Sequence, residues 1–328
     1  MILSAGLTPA WQQILVFDAF RSGAVNRAVE VRWCASGKAL NAGIAAHHLA
    51  CGKSVGQVAN LPEDQRQIGN LPHSLTLATL GGPPLQEIDR EFHALGVPHR
   101  WIETAAATRV CTTLIDRGTG TITELVENGR PLAPEEIEAF RVAYAQEAAR
   151  AAVVVLIGSL PDGAPLSLYR ELAARTPCPM VLDFRGDGLL SVLDLKPHVV
   201  KPNREELAQT VGRPLDDDGD LCRAMQSLNA RGARWVVVTH GKGPVWLSSP
   251  DRIYRLHPLP VEGAVNPIGC GDALAAGIAW GMQEGVEMPE AVRLGVAAAA
   301  DRLRTLLPSR LDPRRVQQRA AEVRVELV

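Results

Sequence analysis

From residue 151 onward the chain alternates short apolar runs with amphipathic stretches, and this rhythm restricts its fold more than any other feature. Ala152 to Ile157 precedes a helical pattern over 165–175, and Met180 to Asp183 precedes one over 187–195. Val199-Val200 is followed by helical patterns over 203–211 and 217–231, then by the run Trp235 to Thr239. Parallel neighbours cannot be joined by a tight turn, so each crossover takes a helix and both sheet faces become covered. The expectation is an α/β fold with a mainly parallel central sheet.

Two regions break the rhythm. Residues 13–33 carry Ile14 to Phe17 and Ala28 to Trp33, and residues 99–127 carry Arg109 to Asp116 and Thr121 to Val126, with Gly118-Thr119-Gly120 as a turn. They read as strands without intervening helices, assembled into a small β appendage; edge strands of the main sheet are the alternative. Residues 56–74, with Pro62, Pro72, Asn60, Asn70 and Gly69, read as an exposed loop insertion. A length of 328 residues suits one large α/β domain with an appendage, or two ordinary domains.

The balance of 34 basic against 36 acidic residues gives a net charge of −2, with no basic field for nucleic acid and no polybasic anchor for a membrane. Any anionic ligand must be held by a local cluster. Cys34, Cys51, Cys111, Cys178, Cys222 and Cys270 show neither a C-x-x-C pair nor a histidine at ligand spacing, so they read as buried free thiols. The eight histidines likewise suggest no metal site. Without a basic leader or a long apolar run, the expected location is the cytoplasm.

Chemistry concentrates in four segments. Gly269-Cys270-Gly271-Asp272 opens a helix expected to run to about Gln283. Its glycines let backbone N–H groups converge on an anion. Asp272 either caps that helix or takes the proton from an attacking hydroxyl during phosphoryl transfer. Gly37-Lys38, ahead of Asn41, offers a cation for a substrate phosphate and an amide for a polyol, or simply a solvated loop lysine. Asn203 to Glu206 forms a capping-box pattern that also presents oxygen to hydrated magnesium. Thr239-His240-Gly241-Lys242-Gly243 is a turn, or a place where a nucleotide approaches the backbone.

In this order the segments resemble the ribokinase-like (PfkB-type) carbohydrate kinases, from Ile2 to about Gly285, and most closely the branch of 1-phosphofructokinase and tagatose-6-phosphate kinase. Gly23 to Ala28, Thr108-Arg109, Gly120 to Leu125 and Gly158 to Pro161 add to the likeness. The resemblance implies a three-layer αβα sandwich with a small β-sheet lid, as a single domain over 1–328 with lid segments at about 11–35 and 98–128. It implies Asp272 as base, Gly269, Cys270 and Gly271 as anion hole, and ATP with Mg2+ as cofactors. Asn203 and Glu206 then hold magnesium through water, and Thr239, Gly241 and Gly243 border the nucleotide. Lys38, Arg109 and Arg27 meet the phosphate of a sugar-phosphate substrate, with Gly37, Asn41 and Gln12 beside the sugar. A homodimer through the lid is also implied.

Departures cluster on the sugar side. The family's G-G-K-G-x-N reads Ser36-Gly37-Lys38-Ala39-Leu40-Asn41, Thr8 and Gln12 replace Asn and Asp of the opening motif, and Cys111 and Cys270 replace an Asn and an Ala. The expected reaction is ATP-dependent phosphorylation of a ketohexose monophosphate, fructose 1-phosphate first. Tagatose 6-phosphate, another sugar or a nucleoside, or a non-catalytic sugar-phosphate sensor, are the alternatives.

Overall fold

The structure, a computed structural model, describes residues 1–52 and 72–328. The central sheet is built on β1 (Ile2–Gly6), β4 (Ser74–Gly81), β5 (His99–Thr104), β8 (Val153–Ile157), β9 (Met180–Asp183), β10 (Val199–Val200) and β11 (Trp235–Val238). These pair parallel. The antiparallel strands β12 (Val245–Ser248), β13 (Ile253–Leu256) and β14 (Val325–Leu327) extend one edge, in the order β14-β13-β12-β11-β10-β9-β8-β1-β4-β5. The sequence rhythm gave no sign of this extension, because β11, β12 and β13 follow one another with no crossover helix and β14 is a strand of only three residues.

Burial on both faces explains the continuous apolar runs. Ile2, Val153, Val155 and Val181 pack into one core with helix α1 (Lys38–Cys51), α8 (Cys270–Gln283) and α9 (Met288–Arg302), whereas Leu3, Val154, Leu156 and Leu182 face the other. That second core includes α3 (Pro134–Ala148), α4 (Leu168–Ala174), α6 (Arg204–Val211) and α7 (Asp218–Ala230). The opposite assignment of successive residues is the two-residue period of a strand.

The second sheet has four strands in the order β3-β2-β6-β7: β2 (Ala10–Phe17), β3 (Glu30–Ser36), β6 (Arg109–Asp116) and β7 (Thr121–Val126). One expectation is corrected here. The start of the second lid segment, His99–Thr104, pairs with β4 in the central sheet and not in the lid. The helical pattern over 187–195 also divides, into α5 (Gly186–Leu190) and a 3₁₀ turn at Leu193–Leu195, ended by Lys196 at φ 54°. The insertion expected over 56–74 lies outside the described residues except at its end, where Ser74 already begins β4. The six cysteines are free, but only Cys34 and Cys111 are buried and Cys51 is exposed. Among the described residues no helix is long and apolar enough to cross a membrane.

The helix bearing the G-C-G-D sequence is enclosed, with every residue from Asp272 to Gly281 buried. It fits because its contact face is small. A β-carbon on Gly277 would lie 2.7 Å from the Gly295 Cα of α9. Gly277→Val therefore forces two backbones apart, at a cost of about 3 kcal/mol. A thermal melt should show Tm lower by several degrees; an unchanged Tm would mean that the two helices do not pack this closely.

Candidate active site

The chain leaves β1 for β4 on one side and returns to β8 on the other, so the strand order reverses at β1. In open parallel sheets the crevice beyond the strand ends at such a reversal is where ligands bind. Side chains at those ends converge. Asp183, the last residue of β9, is buried, with Lys201 Nζ 2.7 Å from Oδ2 and Lys38 Nζ 2.9 Å from Oδ1. Lys38 also lies 3.6 Å from Glu206 Oε1. Burial pushes the Asp183 carboxyl upward, but the Lys201 and Lys38 charges override it and hold the group below the usual carboxylate range. Burial lowers the Lys38 pKa, but Asp183, Glu206 and Asp272 outweigh it and hold the ammonium above the usual lysine range.

Lys38 is the first residue of α1, after Gly37 at φ 92°. A β-carbon there would sit 2.8 Å from Pro9 Cα, so only glycine lets the end of β3 pass the opening loop and aim Lys38 into the crevice. One turn on, Asn41 Nδ2 donates to Asp272 Oδ2 at 2.8 Å. Asp272 occupies the third position of α8, whose cap is Gly269 at φ 82° with no side-chain capping bond. The capping alternative for Asp272 is thereby removed. Its carboxyl is pushed up to about 6, first by burial, with Asp183 adding and Lys38, Asn41 and Lys201 opposing. Among the described residues the Gly271 and Asp272 amides have no backbone acceptor, as expected of a helix start. Lys201 Nζ lies 3.5 Å from where a Gly271 β-carbon would be, so a lysine flanks these amides. The Cys270 thiol donates to the Ala299 carbonyl, and burial raises its pKa to about 11, which disfavours the thiolate.

Asn203 and Glu206 form a complete capping box, Asn203 Oδ1 accepting from Glu206 N at 2.8 Å and Glu206 Oε2 from Asn203 N at 2.9 Å. The Asn203 oxygen is thus committed to the helix end, leaving Glu206 Oε1 toward the crevice. Thr239 bridges to Asn203 and accepts from Arg204 N, and Gly241 at φ 51° with Gly243 completes an exposed turn beside that helix.

The sugar-side expectations come together less well. Gln12 is buried within the lid and donates to Thr113 Oγ1 at 2.7 Å. Arg109 donates to the carbonyls of Thr8, Pro9 and Glu127. It lines a small cleft with Thr8, Thr108 and Arg130. Arg27 is exposed in the connection between β2 and β3. Asp183 and Arg130 were missed, and Lys201 had been assigned no role. A signal existed for Asp183 and Lys201: each is a charged residue closing an apolar run, Asp183 as the last residue of β9 and Lys201 just after β10, at the end where parallel sheets bind ligands. Asp89, His93 and His99 also gather within 4.8 Å. There Asp89 accepts from His99 and Trp101, which clamps edge strand β5 to α2 (Pro83–Ala94).

Residues 74–305 match the sequence model of the pfkB family carbohydrate kinases. The chain belongs to that family. This carbohydrate kinase has solved relatives over its whole length. A possible 1-phosphofructokinase from Thermotoga maritima is 19% identical at a TM-score of 0.83, covering 100% of this chain and 99% of that one. Phosphofructokinase-2 from Escherichia coli, in complex with substrates and products, is 22% identical at 0.81, covering 98% of each chain. Ribokinase from Arabidopsis thaliana, complexed with ribose and ATP, is 18% identical at 0.70, covering 97% of this chain and 98% of that one. These likenesses establish the ribokinase-like fold.

Removing Lys201 leaves Asp183 buried with half its compensation. Lys201→Met is expected to cost about 3–5 kcal/mol in urea unfolding. Because the folded-state pKa of Asp183 is depressed, the stability it contributes is present above the unfolded value and lost as pH falls through the folded one. The deficit of the variant should therefore shrink in acid. A deficit independent of pH would point to lost packing instead.

Proposed function

We propose that this kinase transfers the γ-phosphoryl group of ATP to a primary hydroxyl of a ketohexose monophosphate, with fructose 1-phosphate as first candidate. The observation that carries this reading is the buried Asp272 carboxyl, raised to about 6 at the start of α8 beside unpartnered amides. A base with a pKa just below neutral is deprotonated at pH 7 yet still basic enough to take a hydroxyl proton. As the acceptor oxygen bonds to phosphorus, its proton passes to Asp272, the bond to the ADP oxygen breaks, and ADP leaves with that electron pair. The Gly271 and Asp272 amides, flanked by Lys201 and Lys38, stabilise the charge on the transferring group.

The donors present fit magnesium through Glu206, whose Oε1 faces the crevice while Oε2 serves the cap. A hydrated ion held by one carboxylate and the nucleotide phosphates is the usual arrangement, and the ion would screen phosphate charge there. For the acceptor phosphate, Arg109 keeps N–H groups beyond those bonded to carbonyls, and Arg130 shares its cleft. Thr239, Gly241 and Gly243 would border the nucleotide.

ADP release should be measured with Mg-ATP against fructose 1-phosphate, fructose 6-phosphate, tagatose 6-phosphate, free hexoses and nucleosides. Turnover on one phosphorylated ketose, an acid limb near pH 6 and its loss in Asp272→Asn are expected. The folded-state pKa of Asp272 is raised, so its carboxylate destabilises the free protein as pH rises from the unfolded value through about 6. Asp272→Asn should therefore raise Tm at pH 7 while abolishing turnover. Sugar-phosphate binding without turnover in the wild type would favour the sensor.

One face of the lid exposes Val31, Trp33 and Leu125, an apolar face that a second copy of the chain would cover. Sedimentation at micromolar concentration should give a dimer that Trp33→Lys dissociates. A wild-type monomer would remove this part of the reading.

A further inference from the structure

Arg302, the last residue of α9, has no exposed surface. Its Nη1 donates to the Thr305 carbonyl at 2.7 Å, yet Nε and Nη2 have no partner among the described residues. An unpaired buried cation is among the costliest features a protein carries, so its position demands a reason. Nε lies 3.6 Å from where a Gly269 β-carbon would be, and Asn41 Nδ2 lies 3.4 Å from the same point. The guanidinium therefore stands directly behind the cap of α8. Around it the approach to α8 is strapped to the segment after α9: Val265 N donates to the Leu303 carbonyl at 2.7 Å, and Asn266 Nδ2 to the Leu306 carbonyl at 2.8 Å. Asn266 Oδ1 accepts from Ile268 N at 3.0 Å, which fixes the turn into Gly269. The ionisable groups facing Arg302 are the Cys270 and Cys34 thiols, Asp272 and Arg310. Burial lowers its pKa only to about 10, so it stays charged at neutral pH.

We propose that Arg302 is a positioning residue for phosphoryl transfer: its buried guanidinium adds a fixed positive charge behind the Gly271 and Asp272 amides and holds the Gly269 turn against it. This rests on the phosphoryl-transfer reading above. The charge does not touch the substrate. It acts across Gly269, in a low-dielectric interior where a preorganised charge is worth far more than in water. The partner it lacks in the free protein is the negative charge that collects at the helix start as the phosphoryl group moves. Such a charge stabilises the transition state more than bound ATP, so it should be read in kcat and not in KM.

The test uses the full-length protein and the acceptor found above. In Arg302→Met, checked for folding by its melt, kcat should fall about 100-fold with both KM values within about threefold. Arg302→Lys should recover at least about a tenth of the wild-type rate, and added methylguanidinium should partly restore the methionine variant. A folded methionine variant with wild-type kcat, or one whose loss lies wholly in KM, would overturn the proposal. Should neither variant fold, the wild-type Arg302 Nε–H resonance decides. It should shift when ADP and aluminium fluoride are added together and not with ADP alone; an unmoved resonance rejects the idea. That measurement needs no acceptor, so absent turnover would count against the reaction and leave Arg302 to be judged separately.

Discussion

The Asp183 carboxylate held between Lys38 and Lys201 is the interaction on which the rest of the site depends. It joins the start of α1, the end of β9 and the segment after β10, three points far apart in sequence. A buried ionic cluster of this kind is seldom a net gain over apolar packing, because desolvation offsets most of the attraction. Its value lies in geometry. With both carboxylate oxygens engaged, the two ammonium groups are fixed in place, one facing Glu206 and the other beside the first turn of α8.

The lid is tied to this frame at two corners. Arg109 joins the first residue of β6 to the opening loop and to Glu127. Glu91 of α2 accepts from Ala35 N near the end of β3, and pairs with Arg310. The strands between the corners are linked to the central sheet by neither set of bonds. The lid is thus anchored at its base by charged groups donating to or accepting from backbone.

Much of this was legible in the sequence, and the failures have physical causes. The parallel sheet could be read because crossover helices impose a long-range rhythm. The G-C-G-D helix could be read because small residues at a helix start serve few purposes. His99–Thr104 was misplaced because an edge strand and a lid strand share the same half-buried composition; only pairing with β4 separates them. Asp272 stood equally for cap or base until Gly269 was found to be the cap. Arg109 matched a motif and Gln12 stood at a motif position in place of Asp, but a motif does not say which donors the fold itself consumes. Arg302 gave no sequence signal at all, since an arginine at a helix C-terminus is ordinary until its burial is known.

The charges around the crevice balance in a way that bears on the nucleotide. Lys38, Lys201 and Arg302 oppose Asp183, Glu206 and Asp272. With all six ionised, the set is formally neutral, so on the proposed reading these six groups offer a polyanionic nucleotide no net positive charge. A divalent ion bound to the phosphates would add compensation, and Glu206 is the carboxylate placed to meet that ion. The same neutrality separates binding from catalysis. On the proposed reading, Lys38 and Lys201 are held by Asp183 in the free protein, and charge moving toward the amides of α8 during transfer would come nearer to Lys201 and Arg302. A site arranged in this way favours the transition state by the change in where the charge lies, not by how much of it is bound.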